Sequence, residues 1–255
     1  MRNSLAFFLI LMTCLNGLWF SGCAQRPVKT KVDIDRRVDV AIAAASKYLQ
    51  VGDTDNAHRH LARALELKPR HAPIHNALAL LYANEQDAKK TEQSYKKALR
   101  FDSNYAPALN NYGTFLYDQG RLLEAKQVLE KAASDVSYNN RHLAYENLGL
   151  VALKLNDKAV AAQAFNNALR SGRPAPRALL ELADIHYSRR QYRDAKRYLD
   201  GYIALEKHGP RSLYLGIGIA KATGDRDTHA SYALALKNLF PNSLQYKQFR
   251  KSQRK

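Results

Sequence analysis

Histidine and cysteine are the side chains from which a chemical site is most readily built, and their spacing here builds none. His58 and His60 stand two apart, so on a helix they point to different faces. His71 and His75 are four apart but straddle Pro73 at a helix start, and His75 falls at a packing position. No cysteine follows Cys23, so no thiolate can join them and neither a metal site nor a stabilising disulfide is expected. No Gly-x-Ser-x-Gly elbow, phosphate-cradling loop or paired-carboxylate motif occurs. These residues point away from an enzyme, and no cofactor, metal or small-molecule substrate is expected.

Cys23 is placed for a different chemistry. Arg2 gives a positive start, Leu5 to Leu18 form an apolar stretch shorter than the roughly 20 residues that span a bilayer, and small residues follow. Phe20-Ser21-Gly22-Cys23 resembles a bacterial lipobox, with Phe20 where Leu is usual. That resemblance implies a signal peptide over 1–22 and a diacylated Cys23 at the new N-terminus, whose several acyl chains hold a protein stably on a membrane. Ala24 in place of Asp implies sorting to the outer membrane, with the domain facing the periplasm. Residues 23–37, polar and with Pro27, read as lipidated cysteine and tether.

The chain has 255 residues, 46% apolar and 25% charged, enough for one or two packed domains. The net charge of +17 fits acidic partners, anionic envelope polymers or nucleic acid, and the secretory signal argues against nucleic acid.

The element that must position any site is a repeat. Tyr48, Ala57, Ala64 and Pro69 recur 34 residues on as Tyr82, Thr91, Ala98 and Ser103, then as Leu116, Ala125, Ala132 and Ser137. This resembles the tetratricopeptide repeat, with small residues at positions 8, 20 and 27 and large ones at 4, 7, 11 and 24. Six repeats over 38–243 start near Val38, Ala72, Ala106, His142, Pro176 and Pro210. Small residues at 8 and 20 let the two helices of a hairpin cross closely. Repeat five fails at position 27 with Tyr202, and repeat six at all three, with Ile217, His229 and Leu236, as a solvent-facing end cap would. Gly52, Gly120 and Gly224 fall at position 15, where a left-handed residue must end the first helix, and Asp53, Asp157 and Asp225 follow as caps for the second. The expected fold is all-α, a right-handed superhelical solenoid of six hairpins. Residues 244–255, strongly basic, read either as a frayed tail or as a contact for anionic lipid, lipopolysaccharide or an acidic segment.

In such solenoids the first helices line the concave surface through positions 2, 5, 9 and 12, with 6 and 13 beside them. That surface would carry Asn76, Leu80, Asn110, Asn111, Thr114, Tyr117, Glu146, Asn147, Leu150, Leu180, Asp184, Tyr187 and Tyr214 as partner-binding residues. Amides donate and accept, so a ladder of asparagines can grip an extended peptide. The plainer reading is that Asn near a helix start merely tolerates solvent.

A lipobox, six repeats, Asn110-Asn111-Tyr112-Gly113 in repeat three and an ending of Phe240-Pro241-Asn242-Ser243-Leu244-Gln245-Tyr246 together resemble the type IV pilus biogenesis and stability lipoprotein family, PilF/PilW. The resemblance spans nearly the whole chain. It implies a pilotin, a lipoprotein that helps the type IV pilus secretin reach the outer membrane and form its multimer, and hence supports pilus biogenesis and twitching motility. Two other classes remain open: an envelope scaffold for peptidoglycan hydrolases or outer-membrane protein assembly, and an enzyme or enzyme-regulating domain.

Overall fold

The computed structural model describes residues 31–253. The signal segment, Cys23 and the first part of the expected tether lie outside the described residues. Helices α1 (Lys31–Gln50) and α2 (Thr54–Leu67) form a first hairpin, α3 (Ala72–Asn84) and α4 (Ala88–Phe101) a second, and α5 (Ala106–Asp118) and α6 (Leu122–Ser134) a third. Three more follow: α7 (Arg141–Lys154) with α8 (Lys158–Arg170), α9 (Pro176–Ser188) with α10 (Tyr192–Ile203), and α11 (Pro210–Thr223) with α12 (Arg226–Leu239). A thirteenth helix, α13 (Leu244–Ser252), closes the chain among the described residues. The fold is the all-α tetratricopeptide solenoid expected from the 34-residue period.

Each hairpin turns the same way. The residue at position 15 is left-handed in all six: Gly52, Gly120 and Gly224 at φ 78°, 74° and 76°, but also Gln86, Asn156 and Arg190 at 61°, 61° and 59°. The next residue caps the second helix where it is an aspartate. Asp53, Asp87, Asp157 and Asp225 accept from the backbone N–H of Asn56, Lys90, Val160 and Thr228 at 2.9–3.0 Å. At the other end of the repeat, Pro73, Pro107, Pro176 and Pro210 sit in the first turns of α3, α5, α9 and α11, where a missing N–H leaves no helical bond unmade.

Close helix crossing depends on the small residue at position 8. A Cβ on Gly113 would stand 2.5 Å from Leu129 Cγ, and one on Gly149 2.5 Å from the Phe165 ring. Repeat six corrects the sequence reading. Its crossing residue is Gly216, where a Cβ would meet the Tyr232 ring at 2.6 Å, and Ile217 instead packs with Leu213 and Leu236. The turn glycine Gly224 keeps its place, so the crossing has moved by one residue and has not been lost. Between hairpins the core is continuous: Tyr95, Tyr112, Leu116, Leu129, Leu148 and Val151 form one cluster across repeats two to four.

Two boundaries also differ from the sequence reading. Residues 31–37, assigned to the tether, are the first turns of α1. Residues 244–252, read as a basic tail, are the helix α13, which packs on α11 and α12 where the first helix of a next repeat would stand. Ser243 caps it, accepting from Tyr246 N–H at 3.1 Å, and Tyr246 and Phe249 cover the Leu213–Ile217–Leu236 cluster. Apolar residues left uncovered at the last repeat give a short amphipathic helix something to fold onto. Among the described residues, no helix is long and apolar enough to cross a membrane.

Candidate partner-binding groove

Each first helix packs against the first helix of the next repeat, α1 on α3 through to α9 on α11, whereas the second helices do not approach one another. One layer is crowded and the other splayed, so the stack curves with the first helices on its inner side. The sequence-assigned residues lie on these helices.

A chain of side-chain hydrogen bonds runs along that surface from α3 to α9. Asn111 donates to Asn76 Oδ1 at 3.1 Å, and Asn110 donates to Asn111 Oδ1 at 3.3 Å. Asn147 donates to Asn110 Oδ1 at 3.0 Å and to Thr114 Oγ1 at 3.1 Å, and the Arg177 guanidinium reaches Asn147 Oδ1 at 3.5 Å. Asparagine is a poor helix former, and these contacts give it a reason to be there. Asn76 and Asn110 are only 8% and 7% exposed, so they join repeats together. Asn111 and Asn147 are half-buried and keep amide capacity beyond these bonds.

Beside the amides runs a discontinuous line of apolar and aromatic groups. Leu80 is exposed, while Tyr117, Leu150, Leu180, Tyr187 and Tyr214 are half-buried; Thr114 and Asp184 are exposed. Burial raises the Tyr187 phenol above its ordinary pKa, so it stays a neutral donor. Glu146 differs from the surface contact expected of it. It is 4% exposed, and its carboxylate accepts from the Ala178 N–H at 2.9 Å. The N-cap of α9 is Ala175, which has no side-chain oxygen, so a residue from the preceding repeat satisfies that helix start.

Arg177, Glu181 and Arg211 were not singled out from the sequence. Arg211 binds both Glu181 carboxylate oxygens, at 2.5 and 2.7 Å, and Asp184 Oδ2 at 3.0 Å. Both arginines stand at position 2 of their repeats and Glu181 at position 6, so the positional rule already contained them. His75, read as a packing residue, does pack: one ring nitrogen lies 2.8 Å from the Pro69 carbonyl and the ring sits against Phe101. Burial holds its pKa below the usual histidine value.

Stacked helical hairpins with an inner surface of amides and aromatic rings define a protein-binding scaffold of the tetratricopeptide class. Tetratricopeptide repeat models match residues 42–106, 146–210 and 94–127. Over 244 residues, 96% of each chain, this protein is 43% identical to the type IV pilus assembly protein PilF of Pseudomonas aeruginosa. It belongs to that tetratricopeptide-built family of type IV pilus biogenesis proteins. The solved structure of Pseudomonas aeruginosa PilF superposes with a TM-score of 0.82, covering 86% of this chain and 99% of its own. PilW, described as a widely conserved type IV pilus biogenesis factor, superposes with a TM-score of 0.71 at 26% identity, covering 83% and 97%.

Proposed function

We propose that this pilus biogenesis protein is a pilotin: an outer-membrane lipoprotein, acylated on Cys23 and facing the periplasm, that holds a segment of the type IV pilus secretin during its delivery and multimer assembly. It acts by holding a partner and performs no reaction. Cys23 follows a lipobox-like run, which supports the anchor, and family membership supports the pilus role. The observation that carries the holding step is the inner-surface line of Asn111 and Asn147 beside Tyr117 and Leu150, continuous across repeats three and four. An extended segment laid there makes amide bonds with its backbone and buries alternate side chains on the rings and leucines. Because the amides are already tied to one another, little side-chain freedom is lost on binding.

The test is deletion of the gene in its own organism, with outer-membrane fractions probed for the secretin multimer. Loss of the multimer, restored by the wild-type chain and not by Cys23→Ala, is the expected result. Intact multimers and normal surface pili in the deletion strain would remove the pilotin reading. Full restoration by Cys23→Ala would remove the lipid part of it.

A further inference from the structure

The inner surface does not continue past the sixth repeat. There α13 stands against α11, and its Gln248 and Phe249 share with Tyr187 of α9 and Tyr214 of α11 a cavity of about 430 Å³. Tyr187 and Tyr214 belong to the inner surface, so the cavity is the closed end of the groove. Its floor is kept open by Gly218: a Cβ there would stand 2.6 Å from the Tyr187 hydroxyl. Three rings therefore wall a space that holds roughly one or two residues of a peptide, with polar groups at its edge.

One cation in that space is not engaged by a carboxylate of the protein among the described residues. Asp184 bonds Arg211, which also holds Glu181, so one guanidinium is shared by two carboxylates and is fully engaged. The His229 ring lies tilted against Phe249, with ring centroids 6.3 Å apart. Lys221 is exposed and forms no ion pair among the described residues, so its ammonium is the cation of the lining that is free to meet an anionic ligand.

We infer that this closed end is a pocket for the C-terminal residue of the bound peptide, with its terminal carboxylate on the Lys221 ammonium and an apolar or aromatic side chain between Tyr187, Tyr214 and Phe249. A segment extended along the inner surface from α3 toward α11 meets α13 and has to stop there. A free carboxylate is the anion that a chain end always supplies, and a chain end needs no exit path, whereas an internal acidic residue would require the chain to turn out of the groove. Carboxylate–ammonium hydrogen bonds are among the stronger polar contacts in a site partly screened from water. The inference rests on reading the inner surface as a peptide groove.

The experiment uses the full chain in detergent and a library of ten-residue peptides fixed by their N-termini, each made as a free acid and as a C-terminal amide. Captured sequences are then measured in solution by fluorescence anisotropy. Free acids ending in an apolar or aromatic residue are expected to bind, and amidation to weaken them about five- to tenfold. Lys221→Ala should weaken the free acid by the same factor and the amide by less than about twofold, because both changes remove one contact. Lys221 is exposed, so an unchanged melting curve for Lys221→Ala confirms that the variant folds. Peptides that bind equally as acid and amide, and that are lost on Asn147→Ala but not on Lys221→Ala, would overturn the pocket and leave the groove standing. Capture of no peptide at all would overturn the groove and the pocket together.

Discussion

Glu146 separates the two jobs that an inner-surface side chain can do. Its position in the repeat points it at a partner, yet its carboxylate is spent on the Ala178 N–H of the following repeat. Replacing it with Ala leaves that N–H without an acceptor and should cost about 1–2 kcal/mol in a denaturant melt. Glu146→Gln keeps an acceptor oxygen and should cost less than half as much, with peptide binding by the groove unchanged. A Glu146→Gln variant that folds normally but binds peptide tenfold more weakly would restore the partner-contact reading. The spacing of the sequence supplied which residues share the inner surface. It did not supply which of them are already satisfied, because Asn76, Asn110 and Glu146 are occupied by groups 30 residues or more away, and a repeat pattern lists positions without listing bonds. Arg177 and Arg211 fall on the same spacing, but a lone arginine at position 2 carries no sign in sequence of the amide or carboxylates it will meet on the preceding repeat.

Between elements, the joints of the solenoid show where local sequence is decisive and where it is not. The left-handed turn residue was legible at Gly52, Gly120 and Gly224, but Gln86, Asn156 and Arg190 take the same conformation with no glycine to announce it. Packing of the flanking helices imposes it there, at a cost of about 1 kcal/mol per residue. The joint between repeats two and three adds an electrostatic tie on the outer layer. Glu92 of α4 accepts from the Tyr112 hydroxyl of α5 at 2.9 Å, from Arg121 just before α6 at 2.7 Å, and pairs with Lys96 at 2.9 Å. Hydrogen bonds from Lys96 and then Arg121 hold its pKa down at about 2, against an ordinary value of 4.5. A carboxylate with a depressed folded-state pKa stabilises the fold fully above the unfolded value, and that contribution is lost as pH falls from about 4.5 through 2. After discounting for solvent screening, Glu92→Gln should cost about 1 kcal/mol at pH 7. The gap between variant and wild-type melting should close as pH is lowered through that window. A gap independent of pH would mean that altered packing around the side chain, and not the loss of its charge, sets the cost.

For the molecule as a whole, the positive charge is spread unevenly, and in repeats two and three it lies in a different layer from the groove. α4 on the outer layer carries Lys89, Lys90, Lys96, Lys97 and Arg100 against Glu92, whereas the inner α3 has no acidic or basic residue apart from His75 and α5 has only Asp118. The inner surface of repeats two and three therefore offers amides and rings, with little of the positive charge beside them. The ends of the stack follow their own rule, because each must cover a core face that no further repeat covers. At the C-terminal end α13 does so with two half-buried aromatic residues and no fully buried one. It was read as tail because it lies outside the 34-residue period, although Ser243 followed by Tyr246 and Phe249 at a three-residue spacing carried the signal of a capped amphipathic helix. A chain ending at Ser243 should lose about 2 kcal/mol of protection in α11 and α12, measured by native-state hydrogen exchange, as half-buried Tyr246 and Phe249 are removed. Repeats two to four should keep their protection, since in a stack of nearest-neighbour contacts the loss of a cap is felt mainly by the repeat it covers. Uniform loss along the whole chain would instead make the solenoid one cooperative unit. The end of the groove would then depend on every repeat, and binding there could not be weakened without unfolding the rest.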